Sequence, residues 1–282
     1  MSCLLPRERA LTFACGQGTL VGILHPAAGA SRRGVLIVVG GPQYRAGSHR
    51  QFLLLGRSLA RVGIPTMRFD HRGIGDSDDP FLGFEDLDDD ISAAIDSFLA
   101  ECPGIEEVVL WGLCDAASAI LFYAHQDPRV AGVVLANPWV RSPRSEARAY
   151  LRHYYLERLR ERDLWRRVLA GRVNLAAAAR SLAGFLRQLR RAPATAAGGT
   201  ALPDRMANGL AGFRGPVLLI LSGKDLTARE FEEVTARSGD WHRLLGERRL
   251  RREDLAEADH TFSRRQCSDK VTSLTLDWLR SW

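Results

Sequence analysis

Lysine is almost missing from this chain: Lys224 and Lys270 are the only two among 39 basic residues. With a formal net charge of +6, such an arginine bias reads as coding composition, and no nucleic-acid partner is expected. Cysteine is scarce as well. Cys3, Cys15, Cys102, Cys114 and Cys267 are odd in number, scattered, and include no C-x-x-C pair. Neither a disulfide framework nor a zinc site is expected, and no cofactor is called for. Long apolar runs are lacking: Val35–Val39 and Val217–Leu221 are typical, far short of the ~18 residues of a membrane span. The opening MSCLLPRERA has no charged region followed by an extended apolar core, so no signal peptide is expected. Reduced cysteines in the cytoplasm are the corresponding expectation. Hydrophobic residues at 46% and charged residues at 26% exclude a disordered or collagen-like chain.

What is present is an alternation of short apolar runs and helical patterns. Leu20–Leu24, Gly34–Val39, Ile64–Phe69, Glu107–Trp111, Val130–Ala136 and Pro216–Leu221 read as strands. Between them, Phe52, Leu55, Leu59 and Val62, and then Leu87, Ile91, Ile95 and Phe98, recur at helical spacing. Further helices are expected over Asp115–His125 and Ser268–Trp282. This predicts an α/β fold, a mostly parallel central sheet flanked by helices. Residues 138–212 break the alternation. Fourteen arginines and only four acidic residues fall between positions 141 and 191, with Tyr150, Tyr154, Tyr155, Trp165 and Phe185 among them. The reading is a core of 1–137 and 213–282 carrying a helical, Arg-rich cap insertion at 138–212.

The sharpest local signal is Trp111-Gly112-Leu113-Cys114-Asp115-Ala116-Ala117-Ser118, where a strand gives way to a helix. It matches the G-x-S-x-G nucleophile elbow with Cys for Ser and Ala116 for the last Gly. A strained turn pushes the nucleophile outward, and small residues at 112 and 116 let strand and helix approach. The Asp115 N–H would face a developing oxyanion, and a helix N-terminus favours a thiolate. Asp225 follows the apolar run Pro216–Leu221, and His260 precedes the last helix. Alone, such an Asp is a turn former and such a His a surface residue. Asp70-His71-Arg72-Gly73-Ile74-Gly75-Asp76-Ser77 reads as a structural turn whose Arg ties loops together. The acidic run Glu85-Asp86-Leu87-Asp88-Asp89-Asp90 reads as a solvated helix start, not a metal site.

Taken together, these stretches resemble the α/β-hydrolase superfamily over nearly the whole chain. With Val39-Gly40-Gly41-Pro42-Gln43-Tyr44-Arg45 and Ala258-Asp259-His260-Thr261-Phe262-Ser263, the sequence is similar to the exosortase A system-associated hydrolase 1 family. The resemblance implies a triad in that superfamily's chain order: Cys114 as nucleophile, Asp225 as orienting acid, His260 as base. It also implies an oxyanion loop after the strand Gly34–Val39. The usual second donor position falls on Pro42, which has no N–H, so the donor is expected at Gln43, with Asp115 supplying the first. Gly41, Tyr44 and Arg45 are candidate substrate contacts, with helix entry and surface packing as the plainer role for the last two.

A cysteine acyl-enzyme is a thioester, which keeps the acyl group activated for a second acceptor. The expected activity is therefore a Cys-dependent acyl thioesterase or acyltransferase on an acyl (thio)ester. Similarity at the elbow to Cys-type proteins that move aminoacyl groups between carrier arms, together with the arginine excess, points to an acidic acyl or peptidyl carrier protein as partner. A small-molecule or acyl-glycan ester or lactone hydrolase is the alternative, and a non-catalytic binding protein retaining the fold is a third reading.

Overall fold

The computed structural model describes residues 7–29, 31–41, 43–79, 83–140 and 201–282. Most of the expected cap, Arg158, Arg162 and Arg166 included, lies outside the described residues.

Eight strands form one sheet in the order β1-β2-β4-β3-β5-β6-β7-β8. They are β1 (Arg9–Cys15), β2 (Gly18–His25), β3 (Arg33–Val38), β4 (Thr66–Asp70), β5 (Glu107–Leu113), β6 (Val130–Ala136), β7 (Val217–Ser222) and β8 (Leu250–Leu255). β1 and β2 pair antiparallel, as do β2 and β4, and every later pairing is parallel. The described helices are α1 (Gln51–Arg61), α2 (Asp88–Glu101), α3 (Asp115–Tyr123), α4 (Leu202–Gly212), α5 (Leu226–Thr235), α6 (Gly239–Leu245) and α7 (Arg265–Leu279). This is the expected mostly parallel sheet flanked by helices. Among the described residues, no helix is long and apolar enough to cross a membrane.

The central strands are continuous apolar runs because both of their faces are covered. β3 is buried from Gly34 to Val38, β5 from Val108 to Leu113, and β7 throughout. On one face Trp111 meets Phe52 of α1 edge-on, ring centroids 5.7 Å apart, and its indole N–H reaches Thr275 Oγ1 of α7. Phe262, Val271, Trp278 and Leu279 complete that cluster.

Two strands do not carry an apolar signature. β1 has only Cys15 buried, and β8 reads Leu-Arg-Arg-Glu-Asp-Leu with no buried residue. Both are edge strands, paired on one side only. On β8, Arg251 pairs with Glu253 and Arg252 with Asp254 within the strand, and Arg252 also reaches Glu232 of α5.

One residue of the acidic run that leads into α2 departs from the solvated face expected of it, while Glu85, Asp86 and Asp89 are exposed. Asp90 is fully buried. Its carboxylate accepts from the Arg72 N–H at 2.8 Å and from the Arg72 guanidinium at 2.9 and 2.7 Å. The arginine of the Asp70–Ser77 turn thus ties that turn to α2. Asp70 does the same on the other side. It is fully buried and accepts from the backbone N–H groups of Arg45 and Asp76 and from the Arg45 guanidinium.

Breaking a buried ion pair by removing one partner costs about 3–5 kcal/mol. Asp90→Ala should destabilise the protein by that order, read as a lower midpoint in urea unfolding at neutral pH. Asp89→Ala, at an exposed neighbour, should leave the midpoint nearly unchanged.

Candidate active site

Cys114 sits between β5 and α3 with φ 64° and ψ −127°. That φ is unusual for a side chain larger than glycine and costs on the order of 1–3 kcal/mol. The surroundings fix it. The Cys114 N–H donates to Ala136 O at 2.9 Å, and its carbonyl accepts from Ala117 and Trp139 N–H at 3.1 and 3.2 Å. A Cβ on Gly112 would lie 2.6 Å from Ile120 Cδ1 and 2.9 Å from the backbone of Ala116 and Ala117. A side chain there would force β5 and α3 apart.

The acid and the histidine come from adjacent loops. Asp225 is 6% exposed, and its carboxylate accepts from the N–H groups of Thr227 and Ala228, capping α5. The same carboxylate lies 2.8 Å from His260 Nδ1. The loops touch backbone to backbone. Lys224 N–H donates to Ala258 O and Gly223 N–H to Leu255 O, both at 2.9 Å. A Cβ on Gly223 would stand 2.5 Å from Ala256 O.

With Nδ1 given to Asp225, His260 has its other ring nitrogen free of that carboxylate, and the Cys114 side chain is close enough to act on the imidazole. Burial disfavours the imidazolium, but the hydrogen bond to Asp225 and the neighbouring Asp225 and Cys114 side chains outweigh it. The His260 pKa is raised to about 10. At neutral pH the histidine therefore holds a proton next to sulfur and carboxylate. Structure brings together the three residues that sequence order singles out, and their chemistry suits nucleophilic attack with proton return.

The loop after β3 differs in detail from expectation. Gln43 N–H turns back toward Gly40 O at 3.4 Å, and its side-chain oxygen lies 3.3 Å from Gln51 Nε2. Gly41, at φ 56°, instead directs its N–H at the elbow, 2.9 Å from Asp115 Oδ2. Asp115 Oδ1 accepts from Ala116 N–H at 3.0 Å. The approach is so close that a Cβ on Gly40 would overlap the Asp115 carboxylate and Ala116. Burial pushes the Asp115 carboxyl up against the opposing pull of these N–H groups.

Arg45 is committed to Asp70 and Asp76, with its guanidinium 5.0 Å from the Tyr44 ring. Its ion pairs make it a brace of the loop. Tyr44 remains 48% exposed. Among the described residues, no group of three or more His, Cys, Asp or Glu could hold a metal ion.

Asn137, just past the end of β6, belongs to none of the motifs legible in the sequence. It is fully buried at φ 43°, and its amide joins Ser222 at the end of β7 to the carbonyl of His260. Asn-Pro in a sequence signals a turn, and nothing there tells that the amide faces inward.

A family model described as serine aminopeptidase, S33, matches residues 30–230. Among curated proteins no match is found. Several solved structures share the fold. An esterase of Pyrococcus furiosus has a TM-score of 0.67 at 16% identity, covering 98% of this chain and 93% of its own. The α/β-hydrolase GrgF of Penicillium sp. sh18 has 0.64 at 18%, covering 98% of both chains. A dienelactone hydrolase of Anabaena variabilis has 0.63 at 18%, covering 99% of both chains.

Asp225→Asn tests the electrostatics without removing the helix cap, because Asn caps as well as Asp. The His260 titration followed by NMR should move down from about 10. A raised folded-state pKa gives stability that is full below the unfolded value of about 6.5 and is lost as pH rises through the folded value. Thermal stability of the native protein should therefore decline from about pH 6.5 upward, and this decline should shrink in the variant.

Proposed function

Because the chain belongs to the serine aminopeptidase S33 family and is an α/β-hydrolase enzyme, we propose that it is a Cys-dependent acyl thioesterase or acyltransferase of the exosortase A-associated type. The observation that carries this reading is Cys114 at the strand-to-helix turn beside a His260 whose Nδ1 lies 2.8 Å from Asp225. The family's description names a serine enzyme, and here sulfur stands at the elbow.

In the proposed reaction Cys114 thiolate attacks the acyl carbon of a thioester, forming a C–S bond and a tetrahedral oxyanion. N–H groups at the elbow stabilise that oxyanion. Asp115 N–H is one; Gly41, whose N–H already faces the elbow, is better placed than Gln43 to be the other. Collapse breaks the bond to the leaving thiol, which takes its proton from the His260 imidazolium. His260, now neutral, removes a proton from water or from an acceptor thiol, amine or alcohol as that group attacks the acyl-Cys114 thioester. Collapse restores the Cys114 thiolate beside a protonated His260. Asp225 holds the ring in orientation throughout.

Residues 138–212 are proposed to form a cap that selects what enters, with its arginines docking an acidic, phosphate-bearing carrier protein. A second reading, hydrolysis of small-molecule esters or lactones, is favoured by the esterase and dienelactone hydrolase among the structural neighbours.

Cys114→Ala should abolish turnover and leave the fold intact, since alanine carries the same Cβ through the turn. Intact-mass measurement should find an acyl adduct on the native protein and none on the variant. Retention of most activity by Cys114→Ala would refute the cysteine mechanism. Replacing His260 by Ala should cost about 10²–10⁴-fold in rate.

Salt separates a docked partner from a simple lid, because surface charges are screened within about 8 Å at physiological ionic strength. Rates with a carrier-bound acyl donor should fall as salt rises, and rates with a small neutral thioester should hold. Charge reversal at Arg158, Arg162 and Arg166 should reproduce the selective loss. Equal salt sensitivity for both donors removes the carrier from the reading.

A further inference from the structure

We infer that Asn137 is a positioning residue for the reaction proposed above, holding His260 in register with Cys114 by donating to the His260 backbone carbonyl; the inference rests on the assignment of Cys114 and His260. Asn137 lies one residue past the end of β6, between the strand ends that lead to the nucleophile and to the acid. Its own N–H donates to Ile220 O of β7 at 2.9 Å. Its side chain then makes three hydrogen bonds. Oδ1 accepts from Ser222 N–H at 2.8 Å, and Nδ2 donates to Ser222 Oγ at 2.9 Å and to His260 O at 3.1 Å.

These partners fix which end of the amide is which. A backbone N–H demands an acceptor and a backbone carbonyl demands a donor, so only one orientation satisfies both. The residue is fully buried, so a lost partner is not replaced by bulk water. The left-handed backbone at φ 43° suits asparagine better than most side chains.

The position matters for chemistry because the same short stretch also holds the nucleophile. Ala136 O accepts from the Cys114 N–H, and Trp139 N–H donates to Cys114 O at 3.2 Å. Residues 136–139 thus grip the Cys114 backbone directly and the His260 backbone through one amide. Asp225 fixes the histidine ring from the other side at Nδ1. The Cys114–His260 separation is set by this bridge: β6 end to elbow, β6 end to histidine loop. Without the Nδ2–His260 O bond, the histidine loop is tied by the acid loop, which Gly223 and Lys224 join at Leu255 and Ala258, and by the packing of Phe262 in the core, none of which reaches the His260 carbonyl.

The bridge accounts for a property that packing alone does not. The amide uses both of its donors and its acceptor on loops that converge on the site. An apolar residue of like volume would fill the space and leave Ser222 N–H and His260 O buried without partners.

The experiment compares Asn137→Ala, Asn137→Asp and Ser222→Ala with the native full-length protein. Asn137→Asp keeps the volume and the acceptor for Ser222 N–H but sets an oxygen against His260 O, and it carries the test if the alanine variant does not fold. Ser222→Ala removes one amide contact and spares the His260 bond. In Asn137→Ala, the NMR titration of His260 should move down toward its ordinary value of about 6.5, because the ring is no longer held against sulfur; in Asn137→Asp the charge of the new carboxylate opposes that shift, and kcat is the readout. The rate constant kcat should fall by up to about 10²-fold, the order expected for a misplacement near 1 Å, with KM unchanged. Ser222→Ala should leave both readouts near native.

A lower unfolding midpoint with an unchanged His260 titration and unchanged kcat would overturn the inference and leave Asn137 a packing residue. So would a Ser222→Ala variant that shifts His260 as far as Asn137→Ala does. Intact-mass detection of acyl-Cys114 on the native protein is read in parallel. Its absence refutes the cysteine mechanism itself; its presence alongside unmoved Asn137 variants refutes only the positioning role.

Discussion

A cysteine held at positive φ is the constraint around which this molecule is organised. Cys114 leaves β5 and enters α3 in a backbone state that an isolated chain would avoid. Each neighbour either makes room for it or holds it. Gly112 and Gly40 lack side chains because Ile120, Ala116 and the Asp115 carboxylate occupy the space a Cβ would need. The end of β6 supplies an acceptor for the Cys114 N–H and a donor for its carbonyl. The strand order places β6 directly beside β5, so this support is a consequence of topology.

Charge distribution follows from the same crowding. Sulfur, imidazole and carboxylate are arranged in series, so the proton on His260 is stabilised from two sides while burial opposes it. A second carboxylate, Asp115, lies across the mouth of the elbow and is held by N–H groups of Gly41 and Ala116. It fastens the loop after β3 to the helix after β5. An anion arriving at the elbow meets donors that already have a partner, so it must outcompete a tethered carboxylate for Gly41.

Much of the fold is visible in the sequence because the central strands are buried on both faces and therefore read as apolar runs. β1 and β8 escape notice for the opposite reason: as edge strands they carry alternating or charged residues, and β8 bears arginine–carboxylate pairs along its own length. α5 and α6 follow a strand without a long apolar stripe, and their starts are marked by side-chain caps at Asp225 and Ser238. Asp90 was hidden among exposed acids, since neighbouring carboxylates on a helix look alike until one meets Arg72. In the site, Cys114, Asp225 and His260 were legible through order along the chain. Gln43 and Arg45 were placed by proximity in sequence, but the direction of an N–H and the choice of an ion-pair partner depend on the turn. Asn137 could not be found, because its significance lies in two loops more than eighty residues away.

Asp225 serves two structures with one carboxylate. It terminates the backbone of α5 and it holds the ring of His260. The first turn of a helix is ordinarily where fraying begins, and fraying is local and reversible. Here a frayed turn lets the carboxylate drift from the imidazole while the eight strands stay paired. If Asp225 orients the base as proposed, heat would then silence the enzyme below its melting temperature, and cooling would restore it without any refolding of the sheet. Under the proposed reading, inactivation and denaturation would be separate events, the distance between them set by the stability of a single helical turn.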